Sequence, residues 1–174
     1  MTTRTLLSLL VILLALNGCA ATSFSGAFDD SRNASLAKKR INDAHPALRD
    51  ANISVNSFDG IVLITGQVPS ADLIPIATAE VEPLRNVKKV HNELQVAGET
   101  SVLSRTNDSW LTTKVKSSLT TNEDTDVNRI KVVTENEVVY LMGRLTRAEA
   151  DAAVEVTRNV QGVQKIVKVF EYIN

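Results

Sequence analysis

Cysteine, histidine and aromatic residues are scarce in this chain of 174 residues. It has one cysteine, two histidines and one tryptophan, and aromatic residues make up 4% of the sequence. One cysteine excludes an intramolecular disulfide, and His45 and His91 have no spacing typical of a metal pair or of a base beside a nucleophile. Glycine-rich phosphate loops and nucleophile elbows are also missing. We therefore expect a protein that is not an enzyme and that holds no metal or other cofactor.

An excess of charge of either sign is missing as well. Nineteen Lys and Arg residues balance 20 Asp and Glu residues, which gives a net charge of -1, and there is no basic tail. Binding nucleic acid through a basic surface needs a clear positive excess, so we expect no nucleic-acid partner.

The apolar run at the start of the chain is too short to cross a bilayer. It spans eleven residues, 6–16, and follows the single cation Arg4. A transmembrane helix needs about 20 apolar residues, whereas this length suits the hydrophobic region of an export signal. The run ends in Leu-Asn-Gly-Cys at residues 16–19, which resembles the bacterial lipobox.

Cys19 is therefore expected to be lipidated and to become the N-terminus of the mature protein. Each buried methylene contributes roughly 0.8 kcal/mol, so two or three acyl chains hold a protein almost permanently on a membrane. Alanine rather than aspartate at residue 20 resembles the sorting pattern for the outer membrane. The alternative is an ordinary secretory signal that ends near residues 20–22.

The rest of the sequence contains a tandem duplication. Four positions recur with the same residue type 77 residues later, and a second block recurs at a spacing of 76. The pairs are Ile53 and Ile130, Val55 and Val132, Val62 and Val139, Gly66 and Gly143, and then Val87 and Val163, Val90 and Ile166. Such self-similarity indicates two copies of one structural unit.

Each copy is predicted to run helix, strand, strand, helix, strand. Asp59-Gly60 in copy one and residues 135–137 in copy two each separate two β-branched runs, as in a β-hairpin. Thr146 with Glu149 predicts a capping box on the following helix of copy two. The fold class is thus α+β, with two tandem small αββαβ domains, each a three-stranded mixed sheet packed by two helices.

The expected boundaries follow from the repeat. We expect a signal peptide at 1–18, the lipidated cysteine and a flexible tether at 19–30, a first domain at 31–97, a linker at 98–106 and a second domain at 107–174. Because a domain of about 70 residues has a marginal core, we expect the two copies to pack against each other.

Gly66 and Gly143 each end the second strand of a copy. Glycine is required there if the backbone adopts a positive φ or approaches another backbone closely. We expect both glycines to be structural, and a bulky acidic replacement to unfold its domain.

The only tryptophan lies in the predicted first helix of copy two. At 100° per residue, Trp110 points away from one apolar stripe, and Lys114 and Lys116 lie on the flanks of that stripe. An indole beside lysines is typical of a bilayer interface, where ammonium groups meet lipid phosphates. The alternative is that Trp110 covers the joint between the domains, since copy one has apolar Leu36 at the position we take as equivalent.

Residues 107–115 of this helix, with 134–136 and 141–143, resemble the BON domain, and two such domains behind a lipobox resemble the dual-BON lipoproteins of the outer membrane. The resemblance implies a role in envelope integrity, enrichment at the division site, and binding of phosphatidylglycerol or cardiolipin through this helix. The expected lipid-binding residues are Trp110, Leu111, Lys114, Val115, Lys116 and Ser118.

Other functions stay open from the residues alone. The main alternative is a periplasmic adaptor whose helix faces dock on cell-wall remodelling factors or on the β-barrel assembly machinery. A hydrolase would need a polar constellation assembled from separate repeats. Asp124, Asp126, Asn128 and Glu135 match positions of an EF-hand loop, but Arg129 replaces its glycine, so we interpret them as an acidic loop without calcium.

Overall fold

The structure, a computed structural model, describes residues 21–97 and 102–174. The expected signal peptide, Cys19 and residues 98–101 of the expected linker lie outside the described residues. Lipidation of Cys19 therefore stays a prediction.

The described chain forms two domains with the same order of elements. The first contains α1 (Ala21–Ala44), α2 (Pro46–Asp50), β1 (Ile53–Phe58), β2 (Ile61–Val68), α3 (Leu73–Val81) and β3 (Lys89–Val96). The second contains α4 (Val102–Thr121), a 3-10 turn (Val127–Arg129), β4 (Ile130–Glu135), β5 (Val138–Leu145), α5 (Arg147–Arg158) and β6 (Lys165–Tyr172). This order confirms the predicted α+β fold of two αββαβ domains, with α2 as a short addition.

Local sequence explains how two of the helices begin. His45 caps α2, because its Nδ1 accepts a hydrogen bond from the Ala47 N–H at 3.1 Å. Thr146 and Glu149 form the predicted capping box at the start of α5. In both cases a side chain satisfies an N–H group that the first turn of a helix leaves without a partner.

Each domain has one mixed three-stranded sheet. The middle strand, β2 or β5, pairs antiparallel with the strand before it and parallel with the strand after the helix. Ile53 pairs with Gly66 in the first sheet, and Ile130 pairs with Gly143 in the second. The spacing of 77 residues therefore marks the same register in both sheets.

Each sheet packs its helices on one face. The core of the first domain includes Ile41, Val62 and Leu73, and that of the second includes Leu111, Leu141 and Ala153. Neighbouring residues of a strand point to opposite faces, so the second face of each sheet also carries apolar side chains.

Those second faces pack against each other and form a third core, which we call the interdomain core. Its buried members come from β2, β5 and β6, and they are Ile61, Leu63, Tyr140, Met142 and Val169. The Lys131 ammonium also donates to the Ser57 carbonyl across this joint at 3.1 Å. The expectation that the two copies pack against each other is thus confirmed.

The first helix of each domain begins before the expected start of that domain. Helix α1 begins at Ala21, so the predicted flexible tether at 19–30 is helical over its described part. Helix α4 begins at Val102, so the predicted linker at 98–106 is helical from that residue. The physical reason is that Asp30 and Asp108, inside these helices, bind the hairpin turns and tie the helices to the domains.

Candidate functional site

Helix α4 buries one face and exposes its tryptophan. Leu111 and Val115 are 1% and 0% exposed in the core of the second domain, whereas Trp110 is 59% exposed. Consecutive residues of a helix are about 100° apart, so the residue before a fully buried leucine is turned away from the sheet. The sequence pattern therefore forces the indole outward.

Lys114 lies one helical turn after Trp110 and contacts its ring. The Lys114 Nζ atom is 4.2 Å from the centroid of the Trp110 ring, a cation–π geometry. The same ammonium donates to the Gln161 carbonyl at 2.8 Å, in the turn between α5 and β6. We call Trp110, Lys114 and this turn, residues 159–164, the indole face.

The structure brings together only part of the expected lipid-binding set. Leu111 and Val115 are core residues, so their assignment to lipid binding is wrong. Both side chains are buried against the sheet and cannot contact a lipid outside the protein. Lys116 is exposed. Burial is the largest cause of the lowered pKa of Lys131, and the nearby charge of Lys116 lowers that pKa further. Lys116 lies on another side of α4 from Trp110, because six positions turn the helix by about 600°, and half-buried Ser118 lies about two turns further along the helix.

Trp110 is not part of the joint between the domains. The interdomain core is built from strand residues, and Trp110 remains largely exposed. The alternative interpretation of Trp110 as a cover for that joint is therefore wrong.

The two first helices also align differently from our expectation. The Asp30 and Asp108 carboxylates both accept from N–H groups of the following hairpin turn and lie 78 residues apart. That register places Arg32 at the position of Trp110, and Leu36 at the position of Lys114. The assignment of Leu36 as the equivalent of Trp110 is wrong, because it implies a spacing of 74 residues between the helices, about one helical turn short of the 78 that the two aspartates define.

The two singled-out glycines meet the expected steric requirement. At Gly66, with φ of 126°, an added Cβ would lie 2.0 Å from the Asn52 carbonyl oxygen. At Gly143 it would lie 2.5 Å from the Arg129 carbonyl oxygen. Both distances are below any real contact, so neither position accepts a side chain without a shift of the backbone.

Asp30 and Asp108 are the residues that sequence reasoning missed. Asp108 is 6% exposed, and its carboxylate accepts from Asn136 N at 2.8 Å and Glu137 N at 2.9 Å. Both turn residues have positive φ, of 49° and 62°. The available signal was an aspartate within each first helix, at a spacing of 78 residues. Asp108 also lies in the segment 107–115 that resembles the BON domain.

A cleft of about 450 Å³ beside the first hairpin turn is lined by Asp29, Asp30, Asn33 and Asp59. The Asp30 carboxylate is already hydrogen-bonded within the protein, since it accepts from Ser57 Oγ and from the Asp59 and Gly60 N–H groups. Within residues 21–97 and 102–174, no group of three His, Cys, Asp or Glu side chains is arranged to hold a metal ion.

The acidic loop before β4 serves as a turn. Asp126 accepts from the Asn128 N–H at 3.0 Å and caps the 3-10 turn, and Ile130–Glu135 form β4 as the strand pattern predicts. Among the described helices, none is long and apolar enough to span a bilayer.

Comparison with known proteins identifies the repeated unit. The family described as the BON domain matches residues 29–98 and 107–174. The chain is 37% identical over 125 residues to "Outer membrane lipoprotein DolP" of Haemophilus influenzae and 39% identical over 124 residues to "21 kDa hemolysin" of Actinobacillus pleuropneumoniae. It is 28% identical over 141 residues to "Osmotically-inducible protein Y" of Escherichia coli.

These alignments cover 72%, 71% and 79% of this chain and 65%, 64% and 70% of the respective relatives. The first two relatives are thus matched over just under two thirds of their length. The two matched segments cover both folded domains, and the identity to DolP is above one third. This chain is therefore a dual-domain member of the BON family.

Proposed function

We propose that this protein is a lipoprotein of the outer membrane, lipid-anchored at Cys19 on the periplasmic side, whose second domain binds anionic phospholipid through the indole face. Similarity to DolP supports the outer-membrane location, and membership of the BON family supports binding rather than catalysis. The observation that carries the proposal is the exposed Trp110 held beside the Lys114 ammonium.

The indole face suits a lipid headgroup region. A tryptophan that is 59% exposed leaves apolar ring surface in water, and an interface of acyl chain and headgroup buries that surface while keeping the indole N–H polar. Lys114 adds a cation at the same depth. One basic side chain near an anionic surface contributes about 1 kcal/mol.

The anchor makes this weak attraction effective. A lipid at Cys19 holds the folded domains near the bilayer, so binding by the indole face becomes an encounter at high local concentration. The anchor then keeps the protein on the membrane, and the indole face makes it prefer patches of lipid rich in phosphatidylglycerol or cardiolipin. Enrichment at the division site and a contribution to envelope integrity follow if such lipids concentrate there.

The proposal is tested with residues 20–174, which contain every side chain of the three cores. We expect vesicles of phosphatidylglycerol and phosphatidylethanolamine to blue-shift the fluorescence of the single tryptophan, with binding that weakens as salt is added. Vesicles of phosphatidylcholine alone should give no shift. Equal responses to both vesicles would contradict the proposal.

Two substitutions localise the contact. Trp110→Ala should weaken binding in vesicle sedimentation about tenfold or more, because the buried ring surface is lost. Tyr172→Ala, which removes another exposed aromatic side chain of the same domain, is the matched control and should bind like the unaltered protein. Unchanged sedimentation of Trp110→Ala would assign the contact to another surface.

A protein-binding adaptor is the second candidate, and one observation favours it. Tyr172 is 45% exposed at the end of β6, and the Arg147 guanidinium lies 4.9 Å from its ring centroid. Exposed tyrosine and arginine side chains are enriched among the residues that dominate protein interfaces. Cell-wall remodelling factors or the β-barrel assembly machinery would be the partners, and Tyr172→Ala rather than Trp110→Ala would then abolish co-purification.

A further inference from the structure

We propose that the cleft between α5 and β6 is a second site of the lipid-binding domain, and that it takes the phosphate group of an anionic phospholipid. This inference rests on the proposed function and adds a second phosphate contact to the one that Lys114 supplies in the indole face. We call this site the basic cleft.

The basic cleft combines an apolar floor with a cationic rim. It has a volume of about 320 Å³, and its floor is formed by Val154, Val163 and Ile166, which belong to or pack against the core of the second domain. Arg158, Lys165 and Lys168 line it, and its described lining includes no carboxylate. A phosphate with attached glycerol matches this arrangement, because the charge meets the rim and the carbon backbone meets the floor.

The three cations are available to a ligand. Arg158 pairs with Glu155 at 2.8 Å and Lys168 with Asp151 at 3.7 Å, but the four side chains are 46–76% exposed. Exposed pairs of this kind contribute little in water, so an anion in the cleft competes with them easily. Lys165 forms no ion pair with any residue of the described ranges.

The fold itself does not require this charge. Lys168 pairs with Leu141 in the sheet, and the equivalent pair in the first domain is Asn92 with Ile64. The Asn92 amide is used to bind α3, since it donates to the Ile74 carbonyl at 2.9 Å. The second domain therefore carries a cation where the first carries a structural amide.

A second pair of equivalent positions also differs in charge between the two domains. Val81 and Thr157 are both fully buried near the ends of their helices, and each is followed three residues later by a buried Leu84 or Val160. Arg158 of the second domain therefore corresponds to Glu82 of the first. At this position the two domains carry opposite charges.

The basic cleft and the indole face lie at the same end of the domain. Lys114 binds the Gln161 carbonyl in the α5–β6 turn, and Gln164 N in the same turn donates to the Glu137 carbonyl of the β4–β5 turn at 3.1 Å. Asp108 of α4 also binds Glu137 N. One lipid surface that receives Trp110 is therefore within reach of the cleft rim.

The test exchanges the cleft residues for those of the first domain. In residues 20–174, the double variant Arg158→Glu, Lys168→Asn should bind phosphatidylglycerol vesicles about tenfold more weakly, while circular dichroism and the melting temperature stay close to those of the unaltered protein. The matched control, Arg85→Glu with Lys89→Asn, makes the same change in charge on the first domain and should bind within about twofold of the unaltered protein. Equal binding of the two double variants would overturn the inference.

A soluble ligand separates this site from the indole face. Monomeric dihexanoyl phosphatidylglycerol should shift the amide resonances of Arg158 and of residues 165–168, which lie outside the indole face, in both the unaltered protein and Trp110→Ala, and not in the cleft variant. If vesicles fail to bind but these shifts persist, the proposed function fails and the basic cleft stands. If inorganic phosphate gives the same shifts at the same concentration, the cleft is a general anion site and the phospholipid assignment is overturned.

Discussion

Single glycine positions decide whether the middle strand of each sheet can approach the backbone just before the first strand. Gly66 combines a positive φ with a carbonyl oxygen 2.0 Å from where a Cβ would stand. Gly162 also has a positive φ, of 106°, but there the nearest atom to an added Cβ is Leu111 Cδ1 at 3.4 Å, an ordinary contact. A comparison of Gly66 with Gly162 therefore separates the free energy lost to an unfavourable φ from the free energy lost to steric overlap.

We predict that Gly66→Ala destabilises the protein by about 3 kcal/mol or more, and Gly162→Ala by about 1–2 kcal/mol, because only the first adds a collision with the backbone. Urea unfolding of the two variants measures the difference. Equal losses would show that φ alone accounts for the glycine at 66.

Gly143→Glu gives the same argument in the second domain. Its φ is not positive, but a Cβ would collide with the Arg129 carbonyl at 2.5 Å, so we expect the second domain to unfold. Native circular dichroism and an unchanged melting temperature in this variant would contradict the structural role of Gly143.

Helix and hairpin form one unit in each domain through a single carboxylate. Asp108 satisfies two N–H groups of a turn whose residues both have positive φ, and Asp30 does the same in the first domain. Charge-assisted hydrogen bonds are roughly twice as strong as neutral ones, so one side chain compensates for the strained turn. This contact also fixes the direction in which Trp110 leaves the domain, two residues further along α4.

We predict that Asp108→Ala lowers the free energy of unfolding by about 3 kcal/mol, since two part-buried N–H groups lose a charged acceptor. Asp108→Asn keeps one acceptor oxygen and should lose about half as much. Asp124→Ala, at an exposed loop position, is the control and should change stability by less than about 0.5 kcal/mol. Chemical denaturation that ranks Asp124→Ala beside Asp108→Ala would contradict the role of this contact.

The two domains depend on each other through the interdomain core. Tyr140 is 2% exposed there, and burial, followed by the charges of Glu93 and Glu135, raises the pKa of its phenol from 10.0 to about 12. The folded protein therefore holds this proton more tightly than the unfolded chain does. The resulting stabilisation is complete below about pH 10 and is lost as the pH rises through 12.

We predict that the free energy of unfolding falls between about pH 10 and 12 in the unaltered protein and falls less steeply in Tyr140→Phe. Denaturant unfolding at several pH values measures this slope, and Tyr172→Phe is the control that should keep it. A phenol at position 140 that ionises near pH 10 in an absorbance titration would show that the joint is open to water.

Sequence reasoning recovered most of the architecture and part of the site. The duplicated spacing, the hairpin turns and the capping box at Thr146 are local signals, and the structure confirms each of them. The outward direction of Trp110 also followed from the helical period. The assignment of Leu111 and Val115 to the lipid surface failed, because residues that form the core stripe of a helix cannot also face outward.

The order of elements, the register of both hairpins and the apolar stripe of α4 were set by the order of residues along the chain, since turn chemistry and periodicity act over a few positions. Packing decided the rest. The true register of the two first helices depends on Asp30 and Asp108 meeting turns about 29 residues away. The basic cleft and the interdomain core depend on contacts between separate elements, and such contacts leave no periodic signal in the sequence.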